Sequence, residues 1–555
     1  MSAQRTSWVV AWMAFATFCG SQSVRADFFF GEATNLGPIV NTSAREAVPV
    51  ISVDGLSLYF GRSPGDVPYD VWLVTRATKD DPWADPVNLG RIGLDYWIGH
   101  IDILPGRTTP DGLELYRYKN NREGGYGALD LWMKRRDSRD SEWGSWVNLG
   151  STVNTSADEM WPTLSPNGLE LYFSGYSSTN TRPGGQGNSD LWVTRRATLE
   201  APWGTPENLG PIVNSASGDC RPCLSADGLL LFFDSYRPGG SGSSDIYVTK
   251  RASVSDPWEP PVNLGPLINS SSLEQCVCVS TDGTCVYYDT GRPGYGNHDI
   301  WEFPILPLVD FNGDGKANGM DVVVLTQHWG QSDPVCDIGP YAWGDGIVDE
   351  QDLFMLAEYL EKEVVDPTLV AHWALDETEG VMAADSVGDN DAVVMGDPAW
   401  QPDGGSIGGA LAFDGIDDCI VTNPVPELSA GSFSILAWVK GGTPDEVIIS
   451  GGVADWLYTN SADGSLMTAL SSIAGNGVPL FSDVVITDGQ WHRIGLVWDG
   501  TSRILLVDEQ EVARDEQAEL AISDAGLIIG AGATANRFFS GQIDDLRIYR
   551  RAVKP

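Results

Sequence analysis

Three short signatures recur in fixed order along the first half of this 555-residue chain, and their count is uneven in an informative way. Asn-Leu-Gly begins at Asn35, Asn88, Asn148, Asn208 and Asn263. An Asp-Gly or Asn-Gly turn begins at Asp54, Asp111, Asn167, Asp227 and Asp282. Asp followed by an aliphatic and an aromatic residue begins at Asp70, Asp130, Asp190, Asp245 and Asp299. The last unit lacks a closing Asn-Leu-Gly, and the first is preceded by a spare one. Repeats of this length mark propellers or arrays. A ring of five units, the last completed by the chain's own N-terminal segment, accounts for both irregularities.

Each unit carries four strand signals. In the third they fall near Met160–Ser165, Leu169–Ser174, Asp190–Arg195 and Trp203–Leu209. Four short antiparallel strands cannot bury both faces alone, so the units must stack, and closure removes exposed sheet edges. Residues 28–37 align with the fourth-strand segment and are expected to supply the outer strand of the last unit. The second unit deviates, with a longer approach over Arg91–Thr109. The segments "SPNGLELYFSG", "RPGGQGNSDLWVTRRA" and "PWGTPENLG" resemble the WD40-like (PD40, TolB-like) β-propeller repeat. The resemblance implies a five-bladed propeller over residues 27–307 and a scaffold for binding, not catalysis.

Five residues after Asn41, Asn154, Asn214 and Asn269 stands an acid: Glu46, Glu159, Asp219 and Glu274. In a ring all four lie near one mouth of the channel. They form either a carboxylate collar for a cation or polar ligand, or ion pairs inside each blade with the recurring Arg62, Arg182, Arg237 and Arg292. Repetition favours pairing. A glycosidase needs a singular pair of carboxylates, and none stands out, so no catalytic residue is assigned.

The net charge of −42 excludes nucleic acid and anionic membrane surfaces as partners, since phosphate binding needs clustered Lys and Arg. Residues 1–26 read as a secretory signal: Arg5, an apolar run over Trp8–Phe18, and small residues at Val24 and Ala26 before the expected cleavage. No other segment is long and apolar enough to be a transmembrane helix. A secreted, extracellular or cell-surface location is therefore expected. Seven cysteines remain beyond Cys19, an odd number, and Cys220-Cys223 has no second pair at zinc spacing.

Between the repeats and the C-terminal region lies a run of oxygen donors. Asp310, Asn312, Asp314, Asn318 and Asp321 occupy loop positions 1, 3, 5, 9 and 12, with the Lys316 carbonyl at 7 and Gly315 at the bend. Calcium asks for this: six or more hard oxygens on a tightly turned loop. A helix over Val322–Trp329 follows. A second copy runs through Asp345, the Ile347 carbonyl, Asp349 and Asp352 to a helix at Leu353–Glu361. Counting back from Asp352 puts Tyr341 and Trp343, which carry no carboxylate, at positions 1 and 3; Asp337, from an enlarged loop, is the candidate replacement, and the second site is less complete than the first. Two loop-helix units resemble a type I dockerin over residues 308–367. The resemblance implies calcium as cofactor and a cohesin-like module as partner. The recognition positions, Gly319-Met320 and Glu350-Gln351, differ from the family's common Ser/Thr pair. A calcium-stiffened internal linker is the alternative.

From residue 368 the grammar changes to long alternating strands. "LVAHWALDETEG", "GGALAFDGIDDCIVT", "SFSILAWVKG" and "FFSGQIDDLRIYRRAV" resemble a LamG-like concanavalin A-type jelly roll over residues 368–555. Trp438, Trp491 and Trp498 are expected in its core. The resemblance implies glycan or protein binding, with Asp414, Asp417 and Asp418 as candidates for rim calcium. The chain is thus expected to be mainly β and multidomain: propeller, small helical calcium module and β-sandwich. The favoured function is non-catalytic binding of polysaccharide or cell-surface protein. A glycoside hydrolase at the propeller mouth and a purely structural assembly protein are the alternatives.

Overall fold

The computed structural model describes residues 28–554, apart from segments 64–69, 91–106, 121–124, 177–181, 426–427, 429–430, 472–477, 523–525 and 535–536 and residues 361, 363, 365, 453 and 518. The expected signal segment therefore lies outside the described residues, as does most of the irregular approach to the second unit. Residues 32–304 form one compact unit; residues 28–31 with 305–554 belong to the other.

The first unit is a five-bladed β-propeller. Blade one runs through Arg45–Ile51, Ser57–Ser63, Asp70–Thr75 and Val87–Gly90, and blade two is described by Glu114–Asn120, Leu129–Arg135 and Val147–Asn148. Blade three is Asp158–Leu164, Glu170–Tyr176, Ser189–Arg195 and Glu207–Asn208; blade four is Asp219–Leu224, Leu230–Ser235, Asp245–Lys250 and Val262–Asn263. Blade five has Glu274–Val279, Cys285–Thr290 and the strand beginning at Asp299. Its fourth strand is Thr34–Asn35, paired with Glu302 and Trp301, as the spare Asn-Leu-Gly requires.

The repeated letters are one hydrogen-bond network. In blade two, Asp130 accepts from the Tyr126 and Gly127 amides and from Asn148 Nδ2 at 2.7 Å. Asn148 Oδ1 accepts from the Gly150 amide and from Asn154 Nδ2, and Asn154 also clasps both backbone groups of Leu131. Gly150 takes φ 81°, where a side chain is strained, which explains the third letter of the signature. The same bonds recur around Asp190 and Asp245. At the seam, Asn35 Nδ2 reaches Asp299 at 2.9 Å, and Asn41 clasps Ile300. The ring thus closes with the bonds that hold blades two, three and four.

Adjacent blades touch through backbone. A Cβ on Gly127, Gly187, Gly242 or Gly296 would stand within 2.0 Å of a carbonyl of the next blade, at Ala157, Ser217, Ser272 or Ala44. Each innermost described strand also carries a bulge two residues after the repeated acid, with left-handed φ at Val48, Trp161, Arg221 and Cys276. The bulge amides of Arg221 and Val48 donate to Ser174 and Asp289 of the preceding blade, at 2.9 and 3.1 Å.

In the second unit, two eight-stranded antiparallel sheets form a jelly roll. Phe433, Ile435, Ala437 and Val439 alternate inward with Trp373, Trp456, Leu496, Leu505 and Ile548 in the core. This alternation corrects the expected tryptophans. Trp498 packs against the core, but strand parity puts Trp438 and Trp491 on the opposite face, where Lys440 lies 5.9 Å from the Trp491 ring. The deep tryptophans are Trp373 and Trp456.

Asn35→Ala removes bonds to Asp299, Gly37 and Asn41. It should cost about 2 kcal/mol and speed hydrogen exchange at Asp299–Trp301, distant in sequence. Asn88→Ala, whose carboxamide is exposed and 3.2 Å from Asp70, should cost less. Equal protection of Asp299–Trp301 in both variants would show that the ring closes without this tie.

Candidate functional sites

The four repeated acids are fully buried, and each is bonded within its blade. Glu46 accepts from the Thr42 amide and hydroxyl and from Arg62 at 2.6 Å. Glu159 does the same with Thr155 and Arg182, and Asp219 with Ser215, Ser235 and Arg237. Glu274 is held by Ser270 and Thr290, with Arg292 at 3.7 Å. Burial pushes Glu46, Glu159 and Glu274 upward, opposed by these hydroxyls and guanidinium groups. The arginines in turn lie over the aromatic residue of the Asp signature: Arg62 over Trp72 at 4.4 Å, Arg182 over Trp192 at 4.8 Å, Arg237 over Tyr247 at 4.6 Å. Acid, arginine and aromatic residue are one structural triplet.

Where the inner strands begin, a cavity of about 940 Å³ opens across blades two to four. Tyr118 and Trp161 wall it with rings 5.1 Å apart. Tyr176 and Tyr236, 38% and 43% exposed, occupy matching places at its rim in neighbouring blades. Asn188, Ser189, Ser217 and Asp158 add polar groups. Arg221 lies 5.1 Å from the Trp161 ring and pairs with Asp234 at 2.7 Å. Asp234 is fully buried, and burial pushes its carboxyl up to about 6 against the pull of Arg221. The sequence held a signal for this site in pairs of neighbouring units: Tyr176 and Tyr236 share one repeat position, and Asp234 and Asp289 share another. The seven cysteines are free thiols, and Cys220 and Cys223 flank the Arg221 bulge.

In the second unit the first candidate cation loop closes on its own donors. Asp310 accepts from the Asp314 and Gly315 amides, and Asp321 from those of Phe311 and Asn318. Asn318 caps helix Gly319–Gln327 in a capping box with Asp321. Burial first, then neighbouring carboxylates, pushes Asp310 to about 6 and Asp321 to about 7. Buried like charges around hard oxygen donors fit a divalent cation such as calcium.

The second loop repeats this geometry with an insertion. Asp337 accepts from the Asp345 and Gly346 amides, as Asp310 does from Asp314 and Gly315. Asp352 accepts from Ile338 and Asp349, and Asp349 caps helix Glu350–Tyr359. Asp337 thus stands at position 1, and burial pushes it to about 6. Tyr341 and Trp343 leave the donor set and stack on each other at 5.0 Å. The Asn312 position becomes Gly339, which brings no side-chain donor.

The jelly roll grips the first loop from outside. Arg493 and the Tyr549 hydroxyl donate to the Gly313 carbonyl, at 2.6 and 3.0 Å, and the Lys554 amide donates to Phe311. Arg551 bonds the Asp310 carbonyl and Asp366. Loop carbonyls face the sheet, and loop carboxylates face the interior of the loop. At the far rim, oxygens of Asp414, Asp417 and Asp418 come within 4.8 Å of one another. Asp418 is buried and accepts from the Asp397 and Asp414 amides, as a turn-forming residue does.

Residues 414–555 match the Laminin_G_3 family model, of the concanavalin A-like lectin/glucanases superfamily. The jelly roll is a concanavalin A-like LamG domain. No curated protein matches the chain. Among solved structures, Trypanosoma rangeli sialidase is 11% identical over 94% of this chain and 97% of its own, with a TM-score of 0.40. Domain 4 of AbnA, a GH43 extracellular arabinanase from Geobacillus stearothermophilus in complex with arabinotriose, is 19% identical over 34% of this chain and 95% of its own, at 0.26. TolB from Agrobacterium tumefaciens is 14% identical over 51% and 92%, at 0.28. Scores this low carry no argument about substrate or activity.

Removing one partner of a buried ion pair strands the other. Glu159→Ala should therefore cost about 3 kcal/mol or more, read by denaturant unfolding of the propeller, while Glu207→Ala, on an exposed pair with Arg195, should change little. Comparable losses in both variants would remove the structural role of the triplet.

Proposed function

We propose that this chain is an exported binding protein whose propeller pocket and LamG domain engage polysaccharide, stabilised by calcium in the paired loops. The pocket supports this reading most: a wide cavity with two exposed tyrosines at its rim, a tryptophan in its wall and hydroxyl and carboxamide groups between them. Sugars present apolar C–H faces and rings of hydroxyls, so they call for aromatic planes flanked by donors and acceptors. The LamG domain is lectin-like and agrees with a carbohydrate ligand. Among the described residues no helix is long and apolar enough to cross a membrane.

In the calcium module, Asp310, Asn312, Asp314, Asn318, Asp321 and the Lys316 carbonyl would hold one ion, and Asp337, Asp345, Asp349, Asp352 and the Ile347 carbonyl a second. Met320, Val323 and Phe354 are exposed apolar side chains on the two helices, at 43%, 45% and 69%. They are the surface a cohesin-like module would meet.

Two measurements test the proposal on the full chain. Affinity electrophoresis through a panel of polysaccharides should show retardation by at least one, and Trp161→Ala should weaken it by roughly tenfold. No retardation by any glycan would refute the carbohydrate reading. In calorimetry, calcium should raise the unfolding temperature and EDTA lower it, with the response reduced in Asp321→Ala. A thermogram indifferent to both would refute the calcium assignment.

A further inference from the structure

The bulges that mark the four described innermost strands pose a contrast. Their backbone repeats, with φ of 54°, 57°, 53° and 58°, but the residues are Val48, Trp161, Arg221 and Cys276. Left-handed backbone is strained in residues with a Cβ and most of all in a β-branched one, and persists only where the surroundings impose it. Here the closed ring imposes it, and all four residues line a small axial cavity of about 50 Å³. The bulge is thus a fixed mount on which the side chain alone varies. Trp161 and Arg221 also line the wide pocket, below the rim tyrosines.

The charge of that pocket is decided by one pair. Arg221 is the one cation among the described lining residues, and its guanidinium is bonded to Asp234. Asp234 is fully buried, and its Oδ1 has no hydrogen-bond partner. Its charge is therefore directed at Arg221 with little screening. Asp158, the one acid among the described lining residues, accepts from the Leu129 amide at 2.9 Å and keeps its carboxylate at the pocket. Arg221 cancelled by Asp234, with Asp158 left over, gives the described lining a net negative charge in a chain of −42.

We infer that the pocket takes neutral polysaccharide and rejects uronate-bearing or sulfated chains. This rests on the carbohydrate reading above. The rim tyrosines and Trp161 stack on sugar faces, and the guanidinium, its charge already matched, serves as a planar hydrogen-bond donor to hydroxyls. A sugar carboxylate entering here meets Asp158 and the acidic surface, and loses water without gaining a free cation among the described lining residues.

The test uses the full chain against neutral glycans (β-glucan, galactan, arabinan, mannan) and acidic ones (polygalacturonate, alginate). Binding to a neutral chain should be about tenfold or more tighter than to any acidic chain, and change little from about 0.1 M to about 1 M salt. The double variant Tyr176→Ala, Tyr236→Ala, which alters exposed side chains only, should weaken it. Asp158→Asn, which keeps an acceptor for Leu129, should narrow the preference. Equal or tighter binding of acidic glycans overturns the inference while leaving the carbohydrate reading standing. Neutral binding untouched by the tyrosine variant also overturns it, by moving the site elsewhere. No glycan binding at all overturns both.

Discussion

The propeller depends on side-chain amides that take the place of backbone. Asn154, Asn214, Asn269 and Asn41 each clasp both the N–H and the C=O of a residue on a third strand, while a second asparagine ties the same strand's aspartate. Each bond is worth only about 1 kcal/mol net, but an unmet buried group costs more. Blades two to five thereby each use the whole set. That is why Asn35 and Asp299 find each other across the length of the ring: the last blade has orphaned groups that only the N-terminal segment satisfies.

This constraint separates scaffold from site. Residues in the network, in the acid–arginine–aromatic triplets and at the glycines where blades touch have no freedom left for a ligand. Freedom remains at the bulges and rim, where the backbone is held and the side chain is not. The pocket over Trp161 and Arg221 lies there. A regular frame with irregular inserts lets one geometry present different chemistry.

The frame was legible in the sequence for the same reason. A network that repeats leaves letters that repeat, and an incomplete set at one end points to the completing set at the other. The first candidate cation loop was legible as a turn-and-helix unit because its oxygen-bearing residues sit at fixed spacing within twelve positions. The second was harder, because Asp337 takes the place of Asp310 from behind an insertion, and spacing stops counting once a loop grows. The pocket was least legible. Asp234, Tyr176 and Tyr236 gain their meaning only from neighbouring blades, and one repeat read alone makes them ordinary substitutions. Trp438 and Trp491 failed differently: strand alternation says which residues share a face, not which face meets the core.

The grip of Arg493, Tyr549 and Arg551 on the first loop redefines what can be moved as a piece. A boundary at residue 367, natural in the sequence, would strip the loop of the donors to its carbonyls and leave those guanidinium groups facing solvent. The portable part is the loop pair together with the LamG sheet. Because arginines of the sheet hold the loop's carbonyls, a shift of the loop is tied to the motion of a whole sheet rather than of a loop.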